Sequence, residues 1–456
     1  MTHDVGGGHI LPTQHFAARW IAEKGTRYLA DEMRVGKTAA VIRACDLLAA
    51  KRVLWLTTGA ARLGHAYAWQ QFSPLDRDCR VIMTGRDSIS DSGVTITSYD
   101  LAVGPLFDEL VKNDFDALCL DEAHKLKNHK AKRTKAVLGE RCDRVGGIAE
   151  RCEHVIPMSG TPAPNHPGEL WPILHALFPQ SIVVKGDKPL RQFEFERRYC
   201  KTKWTPFGNN MKIVGGKNLP DLRARMAPYF LRRKFKDIYH DAAGVHIEML
   251  YVDAAGELDD LRELERDEVL VGFKRALELA TTDKQRDLIN TEIEKTVGLR
   301  LRRLTGKAKV PGVVAWAKEL LEDRGGKLAL YGHHSEVLDG LVEGLSKYRP
   351  LRVSGGVSPK AKAEAEQVFR EDAKRRVFVG NIQAAGEAID LSVADDIVLV
   401  ESSWVPGEND QAIKRIMNMA KQRENVAWFA TLADSIDEHI QRTNARKTSD
   451  LVQLFG

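Results

Sequence analysis

Residues 26–50 read TRYLADEMRVGKTAAVIRACDLLAA, and the order strand, loop, helix in this stretch indicates the architecture of the chain. The general phosphate loop is G-x-x-x-x-G-K-[ST], in which backbone amides and a helix N-terminus surround phosphate groups. Gly36, Lys37 and Thr38 match the end of this pattern, and Asp31 stands at its first glycine position. The pattern predicts that Lys37 reaches the phosphates and that Thr38 binds Mg²⁺. An ordinary helix start is the alternative.

A second motif strengthens the nucleotide prediction. The apolar run FDALCL at residues 115–120 leads into DEAH at residues 121–124. Adjacent acids at the carboxyl end of a parallel strand lie where open α/β sheets bind ligands. A magnesium–nucleotide site needs one carboxylate for the metal and a second to orient the attacking water. Asp121 and Glu122 are the candidates for these two tasks.

Short apolar runs alternate with amphipathic segments in two parts of the chain, which predicts α/β structure with two parallel sheets. The predicted strands are Thr26–Ala30, Arg52–Thr57, Val94–Ser98, Phe115–Leu120 and His154–Met158, then Lys327–Tyr331, Leu351–Ser354, Arg376–Val379, Asp396–Val400 and Val426–Thr431. Between the two parts, residues 256–304 read as amphipathic helices. Pro311 is predicted to lie in the first turn of a further helix.

Composition excludes several classes of protein. The chain has 456 residues, of which 43% are hydrophobic and 29% charged, so each of about three structural units can bury a core. Six scattered cysteines do not form a disulfide framework, and no run is long and apolar enough to span a membrane. The N-terminus lacks the pattern of a signal peptide. We therefore expect a cytoplasmic protein with no membrane partner, and a bacterial or phage-infected cell suits such a chain.

The order of motifs resembles the Swi/Snf-type branch of the superfamily-two helicases. That branch writes its phosphate loop D-E-M-G-x-G-K-T, which accounts for Asp31, and DEAHKLKN at 121–128 matches its second motif. The remaining motifs follow in the order of the family: TSY at 97–99, MSGTP at 158–162, SGG at 354–356, AAGEAIDL at 384–391, SSWVPG at 402–407 and QAIKR at 411–415. The segment FLRRKFKDI at 230–238 is similar to the HepA-related annealing helicases and their phage and bacterial relatives.

The resemblance implies roles for individual residues. The catalytic set would be Glu122, Asp121, Lys37 and Arg415; the cofactor-binding set Gln14, Gly36, Lys37, Thr38 and Asp121; the metal ligands Thr38 and Asp121; the coupling set Ser159, Thr161, Gly386 and Gln411. Gln14 would read the adenine, and the cofactors would be ATP and Mg²⁺.

The chain departs from the family pattern at several positions. This chain has Arg34 where the family prefers Gly. It also has Ala388 where the family usually has Gly, and Asp390 where the family has Asn. The second arginine of the sixth motif aligns with Asn418, or with Met419 if the one-residue excess before Val426 is placed earlier. Loss of an arginine finger costs about 10³-fold or more in rate, so a real loss of this arginine predicts slow hydrolysis beside nucleotide binding.

A basic run follows the acidic motif. KLKNHKAKRTK at residues 125–135 carries six Lys or Arg and no acid, which favours contact with DNA phosphates over a solvated helix face. The predicted DNA-binding residues are Thr97, Ser98, Tyr99, Lys127, Lys130 and Lys132. Phosphate contacts do not read bases, so sequence-independent binding is expected. Trp204 and Phe207 are candidates for stacking or for core packing.

These observations predict an ATP-dependent translocase on duplex, forked or branched DNA, with strand annealing as one outcome. The expected domains are a RecA-like ATPase lobe at 1–235 with an insertion at about 171–230, a helical region at 236–306 and a RecA-like helicase lobe at 307–456. Two alternatives stay open: a strand-separating DNA or RNA helicase, and a nucleotide- and DNA-binding module with little turnover.

Overall fold

The computed structural model describes residues 10–139, 146–204, 211–240, 242, 244–254, 275–276, 278–279, 281, 285, 298–354, 357–382, 389–418, 421, 424–433 and 435–455. The chain divides into two units. The first comprises residues 1–201, 213–240 and 449–456, and the second comprises residues 202–212 and 241–448.

The first unit is built on a sheet of seven described strands. These are β1 (Tyr28–Leu29), β2 (Arg52–Thr57), β3 (Cys79–Val81), β4 (Gly93–Ser98), β5 (Phe115–Asp121), β6 (Cys152–Met158) and β9 (Phe230–Leu231). They pair in parallel in the order β3-β4-β2-β5-β6-β1-β9. Five of the seven correspond to predicted strands, whereas the short edge strands β3 and β9 were not predicted.

Helices surround this sheet. They are α1 (Pro12–Ala22), α2 (Lys37–Leu47), α3 (Arg62–Phe72), α4 (Tyr99–Val103), α5 (Phe107–Leu110), α6 (Lys132–Leu138), α7 (Trp171–Leu177), α8 (Gln192–Tyr199), α9 (Leu219–Met226) and α10 (Phe235–Ile238). The predicted insertion at 171–230 contains α7, α8 and α9, together with a two-stranded sheet of β7 (Cys200–Trp204) and β8 (Met211–Gly216).

Strand alternation creates a core on each face of the sheet. In β2, Leu54 and Leu56 belong to one core cluster, while Val53 and Trp55 belong to the other. All four side chains are fully buried. Burial on both faces explains why these runs are apolar nearly throughout, as parallel strands covered by helices are.

The second unit repeats this plan with six described strands, all in parallel pairs. They are β10 (Val245–Tyr251), β11 (Leu328–Gly332), β12 (Leu351–Val353), β13 (Val377–Asn381), β14 (Asp396–Leu399) and β15 (Asn425–Thr431), in the order β10-β15-β14-β11-β13-β12. The described helices are α11 (Gly298–Arg324), α12 (Ser335–Gly344), α13 (Pro359–Glu371), α14 (Pro406–Ile413) and α15 (Ile436–Phe455), whose residues from Ser449 belong to the first unit. The α/β class with two parallel sheets is confirmed.

The predicted position of Pro311 is wrong. Pro311 lies inside the 27-residue helix α11 and not in its first turn. Proline removes one backbone donor from a helix, but flanking turns and tertiary packing can carry the helix through it. The predicted boundary between residues 306 and 307 therefore falls inside a helix. Most of the predicted helical region at 256–304 lies outside the described residues. Strand β10 (Val245–Tyr251) lies within the predicted helical region at 236–306, so the prediction of helix is wrong for these residues, which pair in parallel with β15.

No described helix is long and apolar enough to cross a membrane.

Candidate nucleotide site and basic surface

The phosphate loop lies between β1 and α2, and Gly36 caps the helix with φ 95° and ψ 36°. A Cβ on residue 36 would lie 2.1 Å from Nε2 of Gln14, so glycine is required by both the backbone and the space. Gln14 is 7% exposed, and its Oε1 accepts a hydrogen bond from the Leu11 backbone N at 3.0 Å. The structure therefore brings the predicted adenine-reading residue against the loop; the adenine contact itself stays a prediction.

Lys37 is the first residue of α2, and its ammonium group points back into the loop. Nζ donates to the carbonyl oxygens of Asp31 at 3.0 Å and Glu32 at 2.9 Å. Burial lowers the pKa of Lys37, and the nearby carboxylates of Glu122, Asp31 and Asp121 oppose that shift. An ammonium group has three donors, so one remains for a phosphate oxygen.

Arg34, the departure from the family pattern, has φ 67°. This is the left-handed region that glycine adopts without steric cost, whereas an L side chain pays about 1 kcal/mol or more there. The backbone thus explains the family's preference for Gly at this position.

Asp121 ends β5 and is held by two side chains. Its Oδ2 accepts from Thr57 Oγ1 at 2.7 Å and lies 2.9 Å from His65 Nε2. Thr57 ends the neighbouring strand β2, and His65 belongs to α3. No sequence motif predicts His65 as a partner of Asp121, because the contact between helix α3 and strand β5 depends on tertiary packing.

Glu122 meets two other motif residues at the same edge of the sheet. Its Oε2 lies 3.4 Å from Ser159 Oγ and 3.2 Å from His124 Nδ1. His124 Nδ1 and Ser159 Oγ are 2.9 Å apart, and Ser159 Oγ accepts from the Thr161 backbone N at 3.1 Å. The structure therefore joins the predicted coupling residues Ser159 and Thr161 to the acidic motif; their coupling role stays a prediction.

The donor set suits magnesium. The Thr38 hydroxyl and the Asp121 carboxylate are hard oxygen ligands, and magnesium in nucleotide sites typically takes one or two protein ligands besides phosphate and water. Within the described part of the chain, no cluster of three or more His, Cys, Asp or Glu side chains could hold a metal ion. Thr38 and Asp121 would hold the ion only together with a bound nucleotide.

The three predicted DNA contacts at the end of β4 are interior residues. Thr97 is fully buried, Ser98 is 5% exposed and Tyr99 is 2% exposed. Ser98 Oγ caps α4 by accepting from the Leu101 backbone N at 3.3 Å, and the Tyr99 hydroxyl donates to the Asp121 carbonyl at 2.7 Å. Their predicted phosphate contacts are not supported by this burial. Tyr99 instead holds the backbone of the acidic motif.

The basic run divides into two kinds of residue. Lys130 and Lys132 are exposed, and the run itself contains no Asp or Glu that could pair with them. Lys127, in contrast, forms an ion pair with the buried Glu169 at 3.2 Å. Burial would raise the pKa of the Glu169 carboxyl, but Lys127, His166 and Asn165 together lower it. Lys127 thus has a structural partner, whereas Lys130 and Lys132 are available to a ligand.

The predicted residues of the second unit lie around α14. Gln411 is in α14 and is 8% exposed; Arg415 and Asn418 follow in and just after a 3₁₀ turn, Lys414–Ile416. The Arg415 carbonyl accepts from the Leu391 backbone N at 3.2 Å. The predicted coupling residue Gly386 lies outside the described residues, as do Phe207 and the side chain of Trp204. The roles of Arg415 and Gln411 stay predictions.

Comparison with known proteins gives matches along most of the chain. Residues 69–257 match the SNF2-related domain, and residues 312–420 match the helicase conserved C-terminal domain. The SWI/SNF-related matrix-associated actin-dependent regulator of chromatin subfamily A-like protein 1 of Xenopus tropicalis is 29% identical over 95% of this chain and 44% of its own length. The human DNA annealing helicase and endonuclease ZRANB3 is 25% identical over 89% of this chain and 36% of its own length.

The chain thus spans less than half the length of these two relatives. Among solved structures, the Sulfolobus solfataricus SWI2/SNF2 ATPase core in complex with dsDNA aligns over 100% of this chain and 97% of its own, with 18% identity and a TM-score of 0.44. The two domain matches occur in the order that the sequence motifs predicted. The chain belongs to the SNF2-related, Swi/Snf-type family.

Proposed function

We propose that this protein is a DNA-dependent ATPase that couples ATP hydrolysis to movement on duplex, forked or branched DNA. Membership of the SNF2-related family implies use of a nucleotide. The observation that carries the proposal is the placement of Lys37, Asp121 and Glu122 at or after the carboxyl ends of β1 and β5, two parallel strands of the first sheet that lie on either side of β6. Open α/β sheets bind ligands at this edge.

Each residue has a separate task in the proposed reaction. Lys37 neutralises charge on the terminal phosphates, and the loop amides before α2 bind the remaining phosphate oxygens. Asp121, held by Thr57 and His65, orients the magnesium shell; the ion supplies charge neutralisation when it is bound with ATP. Glu122 accepts a hydrogen bond from the attacking water and orients it, and Ser159 holds the Glu122 carboxylate in place.

The basic surface supports DNA as the partner. Lys130 and Lys132 are exposed and belong to the basic run that follows the acidic motif. The relatives are named as a DNA annealing helicase and as a chromatin regulator, and the matched solved structure is a complex with dsDNA. We infer that this protein also acts on DNA, through phosphate contacts that do not depend on sequence, and that annealing of strands is one outcome of its movement.

Steady-state phosphate release with and without forked DNA tests the proposal. We expect DNA to stimulate release, Lys37→Ala to abolish it, and Glu122→Gln to retain ATP binding while losing hydrolysis. Lys51→Ala is a matched control, because Lys51 is exposed and its side chain has no place in the site. Unchanged turnover in Lys37→Ala would refute the nucleotide site, and loss of ATP affinity in Glu122→Gln would refute the role of Glu122.

Asn418 favours a second candidate, a module that binds nucleotide and DNA with little turnover. That candidate predicts tight ATP binding without DNA-stimulated release. A strand-separating helicase would instead unwind a forked substrate in step with hydrolysis, whereas the translocase that we propose would hydrolyse ATP on duplex DNA without opening it.

A further inference from the structure

The phosphate loop of this protein contains a buried acid. Asp31 follows β1 at the first glycine position of the general pattern and is 0% exposed. A phosphate loop attracts anions through its amides and its lysine, and a buried carboxylate in the same loop opposes that attraction. A bare carboxylate there would also offer Lys37 a competing partner. The loop therefore requires a group that neutralises Asp31.

Arg233 provides this group. Strand β9 pairs in parallel with β1, with Tyr28 opposite Phe230 and Leu29 opposite Leu231, so Asp31 and Arg233 leave the two strands side by side. Arg233 Nε lies 3.1 Å from each Asp31 carboxylate oxygen, and Nη2 also donates to Oδ2. The Arg233 backbone N donates to Oδ1 at 2.8 Å. Such a bidentate, charge-assisted contact fixes both the charge and the geometry of the carboxylate.

The residues beside Arg233 hold the backbone of the same loop. Arg232 Nη1 donates to the Ala30 carbonyl at 2.7 Å and to the Gly160 carbonyl at 3.1 Å. The Glu32 backbone N donates to the Arg233 carbonyl at 3.0 Å. These bonds fix residues 30–32, and the carbonyls of residues 31 and 32 are the two acceptors of Lys37 Nζ.

We propose that Arg233 is a positioning residue for nucleotide binding, which neutralises Asp31 so that Lys37 rests on backbone carbonyls and stays available to phosphate. The inference rests on the proposed function, because it concerns the same phosphate site. Without the Arg233 guanidinium, the Asp31 carboxylate attracts Lys37 and repels the nucleotide. Arg233 therefore acts electrostatically through Asp31, and removal of the Asp31 charge compensates for the loss of Arg233.

Equilibrium binding of a fluorescent ATP analogue tests this inference. We expect Arg233→Gln to weaken binding by about tenfold or more, since an unpaired buried charge then lies in the loop. Asp31→Asn in the Arg233→Gln background should restore most of the affinity. Asp31→Asn alone should bind at least as tightly as the parent chain, because the loop then carries one negative charge fewer.

Arg77→Gln is the matched control. Arg77 pairs with Asp46 at 2.9 Å, both side chains are less than 10% exposed, and Asp46 lies near the far end of α2 from Lys37. Loss of this buried pair should lower the melting temperature about as much as Arg233→Gln does, and it should leave ATP affinity unchanged. If Arg233 contributed to stability alone, Arg233→Gln and Arg77→Gln would have the same effect on ATP affinity.

The outcomes separate the two proposals. If Lys37→Ala binds the analogue like the parent chain, the nucleotide site itself is refuted. If Lys37→Ala loses binding but Arg233→Gln keeps it, only the inference about Arg233 is overturned. The inference also fails if Asp31→Asn does not rescue Arg233→Gln, or if Asp31→Asn alone weakens binding. The single Asp31→Asn variant decides the matter where Arg233→Gln does not fold.

Discussion

Replacement of Lys127 by Ala should destabilise the first unit, although the residue belongs to a run that reads as a DNA-binding surface. Lys127 Nζ lies 3.2 Å from Glu169 Oε1, and the Glu169 side chain is 7% exposed. At an effective dielectric constant of about 20, a charge pair at this distance has a Coulomb energy of about 5 kcal/mol. The Lys127 side chain is 33% exposed, so solvent screens much of this energy.

We expect a loss of about 2 kcal/mol in the free energy of unfolding, between the values for exposed and for buried pairs. Two donors from Asn165, at 2.8 and 3.0 Å, remain on Glu169 and limit the loss. For a unit of this size, the melting temperature should fall by about 4–8 °C. Thermal denaturation at pH 7 measures the melting temperature. As a control, Lys130→Ala, at an exposed position of the same run, should change the melting temperature little.

The effect should depend on pH with a defined sign. The folded-state pKa of Glu169 is lowered from its ordinary value of 4.5, so the pair stabilises the protein above that value. As pH falls through the folded-state pKa of Glu169, its carboxyl is protonated, and the difference in melting temperature between Lys127→Ala and the parent chain should shrink. Glu169→Gln in the Lys127→Ala background should recover most of the stability at pH 7. An unchanged melting temperature for Lys127→Ala at pH 7 would refute this reasoning.

Three further predictions concern the surface and the departures from the family pattern. The double variant Lys130→Ala and Lys132→Ala should lower the slope of log affinity against log salt concentration by about 0.9 per lost phosphate contact, equally for all DNA sequences. An unaltered slope would show that these lysines lie on a solvated face without DNA contact. Arg34→Gly should raise the melting temperature, because it relieves about 1 kcal/mol of backbone strain; its turnover should fall only if Arg34 stabilises charge on the phosphates. Asn418→Arg should raise both basal and DNA-stimulated turnover by about tenfold or more, and no change in phosphate release would show that another residue supplies the positive charge.

Much of the fold was predictable because buried parallel strands leave a local signal. Runs such as residues 52–57 and 115–120 are apolar on both faces, and the structure has strands over these residues. Edge strands leave a weaker signal: β9 has only two residues, most side chains of the seven-residue β10 are exposed, and neither strand was predicted. The β9 residue Phe230 gains strand structure only from pairing with Tyr28, some 200 positions earlier in the chain.

Local sequence also predicted the residues of the candidate site, because a phosphate loop and an acidic strand end are short, contiguous motifs. Lys37, Asp121 and Glu122 lie where such motifs predict them. The side chains that hold Asp121 and the loop residue Asp31 come from distant positions: His65 contacts Asp121, and Arg233 contacts Asp31. Only the packing of strands and helices brings them within hydrogen-bonding distance. The segment FLRRKFKDI marks Arg233 as part of a family-like stretch, but no local pattern pairs it with Asp31, and no motif marks His65.

The basic run shows the same division between sequence and tertiary structure. The sequence determined its net positive charge, and it could not distinguish Lys127 from Lys130, since both are lysines in one short segment. The fold makes the distinction by placing the buried Glu169 beside Lys127 and leaving Lys130 exposed. A charge that is removed from water must be neutralised by a partner, and which lysine becomes that partner depends on the position of the 3₁₀ turn Pro167–Leu170 that carries Glu169.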